Sequence, residues 1–281
     1  MVAALLALTA SLLWGSSDFL GGVQSRRATA WAVALVSQTT ALAAALLALA
    51  VSRPSLVSIG DLVAPVIAGL AITLSALAEY RAMALAPMSV VAPIFAGAAM
   101  VPVVWGLTVG ERPSGAVLLG IVLTIAGIVL ISRPRPQEAG RERHAHGTGI
   151  LLAVFAALMI GIVLVAYDYG GRVDPVLTVA TARVSALLLL VVVLAVRRPA
   201  VRLRSLSLPA GVAVGLFIVI ANLLYTYATT FGLLSVVAVL GWLSPAVTIF
   251  WAQSLLRERL RPVQWAAAAM VLGGVVALAL G

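Results

Sequence analysis

Residues 5–15 read LLALTASLLWG and residues 151–161 read LLAVFAALMIG, one apolar phrase repeated at an offset of 146 residues. The same offset sets SVVAP (89–93) on SVVAV (235–239), and one residue more sets Glu111-Arg112 on Glu258-Arg259. The chain is therefore a duplication, and each copy is one structural unit.

Composition says where such a unit can live. Of 281 residues, 63% are hydrophobic and only 10% charged, with a mean hydropathy of +1.17. A soluble domain carries about 25% charged residues, so water-soluble classes are excluded. Ten apolar runs approach the roughly 20 residues needed to span a bilayer core: 2–21, 30–51, 62–85, 88–109 and 115–131, then 149–169, 176–196, 209–228, 233–255 and 263–280. An odd number of spans per copy makes the second copy run upside down relative to the first, an arrangement found in secondary transporters. The fold class expected is an all-α membrane protein: ten transmembrane helices in two inverted five-helix repeats, 1–133 and 148–281, joined by a polar linker at 134–147.

Helices follow because only helices and closed barrels satisfy the backbone in lipid, and these runs are too long and too evenly apolar for barrel strands. The first run begins at Met1 without a basic leader and matches its repeat, so it reads as a span rather than a cleaved signal. The net charge of +9 does not indicate nucleic acid. All basic residues are arginine, and they cluster in short connections, where they set topology. Thirteen of the eighteen follow the first, fifth, seventh and ninth runs, which by the positive-inside rule puts both termini outside. The chain has no cysteine, and His144 and His146 in the linker lack the further ligands a metal site requires, so neither metal nor cofactor is expected.

Asp174-Pro175 reads as the cap and first turn of the seventh span, and Pro65 and Pro209 fall in first turns. Pro93, Pro102 and Pro245 fall inside spans, where each removes a hydrogen bond and breaks or kinks the helix one turn earlier. Interruptions in matching places of two repeats point to the substrate path. Abundant glycine and serine allow close helix packing. The fifth and tenth spans are nearly all aliphatic, as a peripheral packing or homodimerising pair would be.

An ionisable side chain inside a bilayer is a functional candidate by default. Five stand out: Asp18, Glu79, Arg81, Asp168 and Arg183. Arg183 is about 12 Å deep at 1.5 Å per residue, too deep to snorkel, so it should face a cavity or a partner. Asp18, Glu79 and Arg81 fall on one side of the membrane. An Asp18–Arg81 pair that only orients helices is one reading, and a polar substrate path is the other. Glu79 and Arg81 point about 200° apart and do not pair with each other. Asn222 and Tyr225, and likewise Trp14 and Asp18, share helix faces at depth, while Tyr167, Tyr169 and Tyr227 suit an interface. There is no Walker loop, HExxH or GxSxG, which excludes ATP-driven transport by this chain alone and leaves no enzymatic site.

Together LLWGSSDFLGG (12–22), YRAMALAPMSVVAPI (80–94) with VGERPSG (109–115), YATTFGLLSVVAVLGWLSPAV (227–247) and LLRERLRP (255–262) resemble the EamA-type transporters of the drug/metabolite transporter superfamily. The resemblance extends over nearly the whole chain and rests on the order and duplication of these motifs rather than on any single one. It implies a central substrate cavity lined by spans one to four and six to nine, with five and ten outside. It also implies cytoplasmic termini, against the arginine count. The function expected is export of a small metabolite or amino acid across a bacterial inner membrane by alternating access, with the substrate and the bilayer as partners. The alternatives are a cationic multidrug exporter or a non-transporting membrane subunit. The residues expected to line the cavity are Trp14, Asp18, Gln38, Glu79, Arg183, Asn222, Tyr225 and Trp242, with Glu79 for any proton coupling and Pro93, Pro102 and Pro245 for gating. The copies differ at Glu79 against Tyr225, Ser37 against Arg183 and Arg81 against Tyr227, and function is expected in such mismatches.

Overall fold

The structure is a computed structural model that describes residues 1–25, 27–52, 54, 57–85, 94–95, 97–131, 146–203, 205–256 and 262–280. Among these residues the regular structure is all helical, without strands. The first half contributes α1 (Val2–Ser25), α2 (Ala30–Ser52), α3 (Val63–Leu85), α4 (Met100–Thr108) and α5 (Gly115–Ile131). The second contributes α6 (His146–Gly171), α7 (Pro175–Arg197), α8 (Leu208–Phe231), α9 (Leu234–Gly241), α10 (Ser244–Leu256) and α11 (Pro262–Leu280). Asp174 caps α7 as expected, accepting a 2.7 Å hydrogen bond from Leu177 N–H ahead of a proline-led first turn.

Among the described residues six helices, the first three of each half, are long and apolar enough to cross a membrane. The fourth and ninth expected spans are each interrupted. A 3₁₀ turn at Gly97–Ala99 precedes α4, and α9 stops at the Trp242 cap before α10 begins. Residues 97–99 and 243–245 are equivalent at the 146-residue offset, so both copies break at one place. Pro102 and Pro245 lie in the first turns of the helices that resume, and the interruption lies ahead of each, as a proline's lost hydrogen bond dictates. Pro93 and most of the 134–147 linker lie outside the described residues.

The large packing surfaces cross between the halves rather than closing each half on itself. Helix α3 runs along α6 as α1 runs along α8; α3 meets α7 as α2 meets α8; α6 meets α4 as α1 meets α10. Two further pairs, α2 with α7 and α5 with α11, join mates to each other, and α4 also packs on α9. One main hydrophobic core results, drawing Ala7 and Ala68 from the first copy and Leu164, Tyr225 and Leu240 from the second. The expected pairing of the fifth and tenth spans is therefore an intramolecular one, α5 on α11.

Small residues make this interlocking possible. A Cβ on Gly15 of α1 would collide with Val247 and the Ser244 carbonyl of α10, and one on Gly161 of α6 would collide with Val101 of α4. These contacts are mates. The α3–α7 contact closes at Gly69 on Ala182 and Ser185, and the α2–α8 contact at Gly215 on Ser37 and Thr40. Interhelical hydrogen bonds sit beside such approaches, from Thr73 Oγ1 to Ala186 O (2.9 Å) and from Ser75 Oγ to Ala156 O (2.9 Å).

Gly161→Leu should accordingly lower the unfolding temperature in detergent by an amount equivalent to about 1–3 kcal/mol, the usual cost of overpacking. Gly22→Ala, at a position with open space around it, should leave it unchanged or raise it. Equal losses in the two variants would contradict this packing.

Candidate functional site

The two helix breaks meet. Trp242, at the second, donates from Nε1 to the carbonyl of Phe95 at the first (3.4 Å), and the rings pack at 5.6 Å. Trp14 of α1 packs edge-on against Trp242 at 6.3 Å and tilts over Tyr225 of α8 at 5.5 Å. Its indole N–H donates to Asn222 Oδ1 (2.9 Å), and Asn222 Nδ2 in turn donates to Tyr167 Oη of α6 (2.8 Å). The Arg183 guanidinium of α7 reaches the same Tyr167 and donates from NH1 to Gln38 Oε1 of α2 (2.7 Å). Six of the eight expected cavity residues, Trp14, Gln38, Arg183, Asn222, Tyr225 and Trp242, thus form one connected aromatic and polar network at the bundle centre.

The other two stand at one end of it. Asp18 is one turn beyond Trp14 on α1 and exposed, while Glu79 on α3 is half-buried. The two carboxylates are close enough to interact electrostatically, although α1 and α3 share no extensive packing. They therefore face each other across a gap. No Asp18–Arg81 ion pair is present among the described residues; Arg81 is exposed and Glu79 takes the position facing Asp18.

At the opposite end the mates of this pair are sealed. Leu164 and Tyr225 occupy the positions equivalent to Asp18 and Glu79, are fully buried, and are tied by a hydrogen bond from Tyr225 Oη to Leu164 O (3.3 Å). Beyond them Glu111 accepts hydrogen bonds from the Leu234 and Ser235 N–H groups (2.6 and 3.1 Å), so a carboxylate of the first copy sits on the N-terminus of α9 in the second. Gly106 leaves room for that carboxylate. The repeated Glu-Arg turn is explained at this copy, while Glu258 lies outside the described residues. Asp168 is buried and neutralised by Arg172 one turn on (2.6 Å), which also covers the Tyr169 ring at 5.4 Å.

Two expectations change. Tyr167 is not an interfacial tyrosine but a buried bridge between Asn222 and Arg183. Its burial follows from α6 lying along α3 and against α8, which a single helix's sequence does not reveal. The mate of Arg183 is Gln38 rather than Ser37: α2 and α7 begin at residues 30 and 175, and the connection after α1 is one residue longer than its counterpart, which shifts the register to 145. A separate crevice of about 660 Å³ on the exposed faces of α3, α4 and α6, lined by Ile67, Val104, Trp105 and Tyr169 among others, is almost wholly apolar and suits a lipid chain rather than a polar solute.

A two-repeat helical bundle with broken helices meeting at a polar centre defines an integral membrane protein of the transporter type. The chain belongs to the EamA-like transporter family, within the drug/metabolite transporter superfamily: the family model matches residues 1–133 and again 147–280. The fold is also that of a solved crystal structure that is 20% identical, with a TM-score of 0.83 over 99% of this chain and 96% of the other. No curated protein matches.

Because Asn222 links Trp14 to Tyr167, Trp14→Phe and Asn222→Leu should be non-additive in stability by about 0.6 kcal/mol, the size of an interhelical side-chain hydrogen bond in a membrane protein. Strictly additive losses would mean the bond contributes nothing.

Proposed function

We propose that the protein is a secondary transporter that exports a small metabolite or amino acid across a bacterial inner membrane by alternating access, through ten membrane-crossing helices in two inverted repeats. One observation carries this reading. Equivalent positions are open at one end of the site, Asp18 and Glu79 across the α1–α3 gap, and sealed at the other, Leu164 and Tyr225 between α6 and α8. A bundle built from two like halves can exchange these states, so that the open end closes as the closed end opens. Export, rather than uptake, follows the family's usual direction. A non-transporting subunit would be packed solid with Arg183 neutralised by a helix partner, and the gap and the neutral Gln38 acceptor weigh against it. A cationic multidrug exporter would need a net acidic centre, whereas the acids lie at the mouth and the centre holds an arginine.

The absence of cysteine makes the test direct. A membrane-impermeant maleimide should modify Asp18→Cys at least tenfold faster than Leu164→Cys, and adding Tyr225→Phe, which removes the hydroxyl that ties the closed end, should speed the second reaction. Equal rates at the two positions would sink the alternating-access reading. If Glu79 carries a coupled proton, Glu79→Gln should abolish the dependence of flux on a pH gradient in reconstituted vesicles. Unchanged dependence would reject that role while leaving uncoupled transport intact.

A further inference from the structure

Arg183 is 3% exposed, and its Nε–H has no hydrogen-bond partner. Its contacts are neutral: Gln38 Oε1 on NH1, and Tyr167. No carboxylate answers its charge among the described residues, and the chain's nine acids can be followed one by one. Asp168 is taken by Arg172, Glu111 by the N-terminus of α9, Asp174 by the first turn of α7, and Asp61 by the Ser58 N–H and hydroxyl. Asp18 and Glu79 face each other at the open mouth, and neither pairs with Arg183. The remaining three, Glu138, Glu142 and Glu258, belong to the linker and to the turn after α10, outside the described residues.

A guanidinium held in a membrane bundle without a counter-charge is costly. Its retention at the centre of the network therefore calls for a partner that is present only part of the time. Arginine suits this task because its planar fork grips a carboxylate through two parallel N–H donors and stays charged at any physiological pH. Nε–H is the donor left without a partner. Tyr167 and Asn222 link the guanidinium to Trp14, which packs on Tyr225 and Trp242, with Phe95 against Trp242, a wall that offers apolar contact. Resting on the transporter reading above, we propose that the transported molecule is a carboxylate with an apolar body, its anionic group paired with Arg183 and its body against the aromatic wall.

Three probes of one shape and different charge test this on the full-length protein in nanodiscs, read by quenching of tryptophan emission: benzoate, benzamide and benzylammonium. Benzoate should quench saturably, with an affinity at least tenfold above benzamide and above benzylammonium. Arg183→Gln should abolish that discrimination, and Arg183→Lys should retain part of it. Without ligand, Arg183→Gln should unfold at the same temperature as the parent or higher, whereas an arginine kept only to hold Gln38 would make that variant less stable. Absence of saturable benzoate quenching, a preference for benzylammonium, or discrimination that survives in Arg183→Gln would each overturn the assignment. Should Arg183→Gln fail to fold, that too counts against it, and the charge order measured on the parent protein still decides. The cysteine labelling rates use no ligand, so a wrong substrate class and a wrong transport mechanism remain distinguishable.

Discussion

Helices in a bilayer gain almost nothing from the hydrophobic effect by touching each other, because lipid chains are as apolar as leucine. Close approach is what holds this bundle, and it is secured where a glycine of one copy meets a branched side chain or a carbonyl of the other: Gly15 on Val247 and Ser244, Gly161 on Val101, Gly69 on Ser185, Gly215 on Thr40. Each contact has a mate, so the two copies hold each other rather than themselves. That explains why one core serves both, and why a duplication rather than a single copy is the folding unit. It also explains why the breaks before α4 and α10 can be tolerated. Both lie where the halves face each other, so the freed backbone is met by the opposite copy, as when Trp242 donates to Phe95 O.

The symmetric scaffold makes its asymmetries informative. Tyr225 seals one end through its hydroxyl, while its mate Glu79 faces Asp18 across an open gap. A tyrosine can be buried at modest cost if its hydroxyl finds an acceptor, whereas a pair of facing carboxylates cannot be buried without protons or cations. The two ends are therefore mates in position but not in chemistry: one is apolar and hydrogen-bonded, and the other carries two carboxyl groups. Glu111 adds a second asymmetry at the sealed end, where its carboxylate on the α9 N-terminus joins the two copies through a charge-assisted contact.

Much of this was legible in the sequence, and what was not has a geometric cause. The duplication, the helical class and most of the central residues follow from periodicity and from the cost of polar groups in lipid. Tyr167 was misplaced because its position near a helix end suits an interface equally well; only the lie of α6 against α3 and α8 buries it. Hydropathy windows average across a break and so cannot show the interruptions at Gly97–Ala99 and at Trp242. The partner of Arg183 was missed by one residue, since the repeat offset is not constant along the chain: it is 146 in α1 and α6 but 145 in α2 and α7.

That one-residue correction changes the meaning of the site. Helices α2 and α7 are mates packed on each other, so the Gln38–Arg183 hydrogen bond joins two equivalent positions across the internal symmetry. In a symmetric pair of identical copies, one residue type would face itself there. Two arginines would place like charges a few ångströms apart in a low dielectric, and two glutamines would carry no charge with which to bind an ion. Fusion of the copies into one chain removes the constraint of identity. It permits one cation, oriented by an amide acceptor that adds no opposing charge, and so leaves the charge of Arg183 unanswered among the described residues. The duplication supplies the frame, and its divergence at this pair supplies the single charge on which selectivity can act.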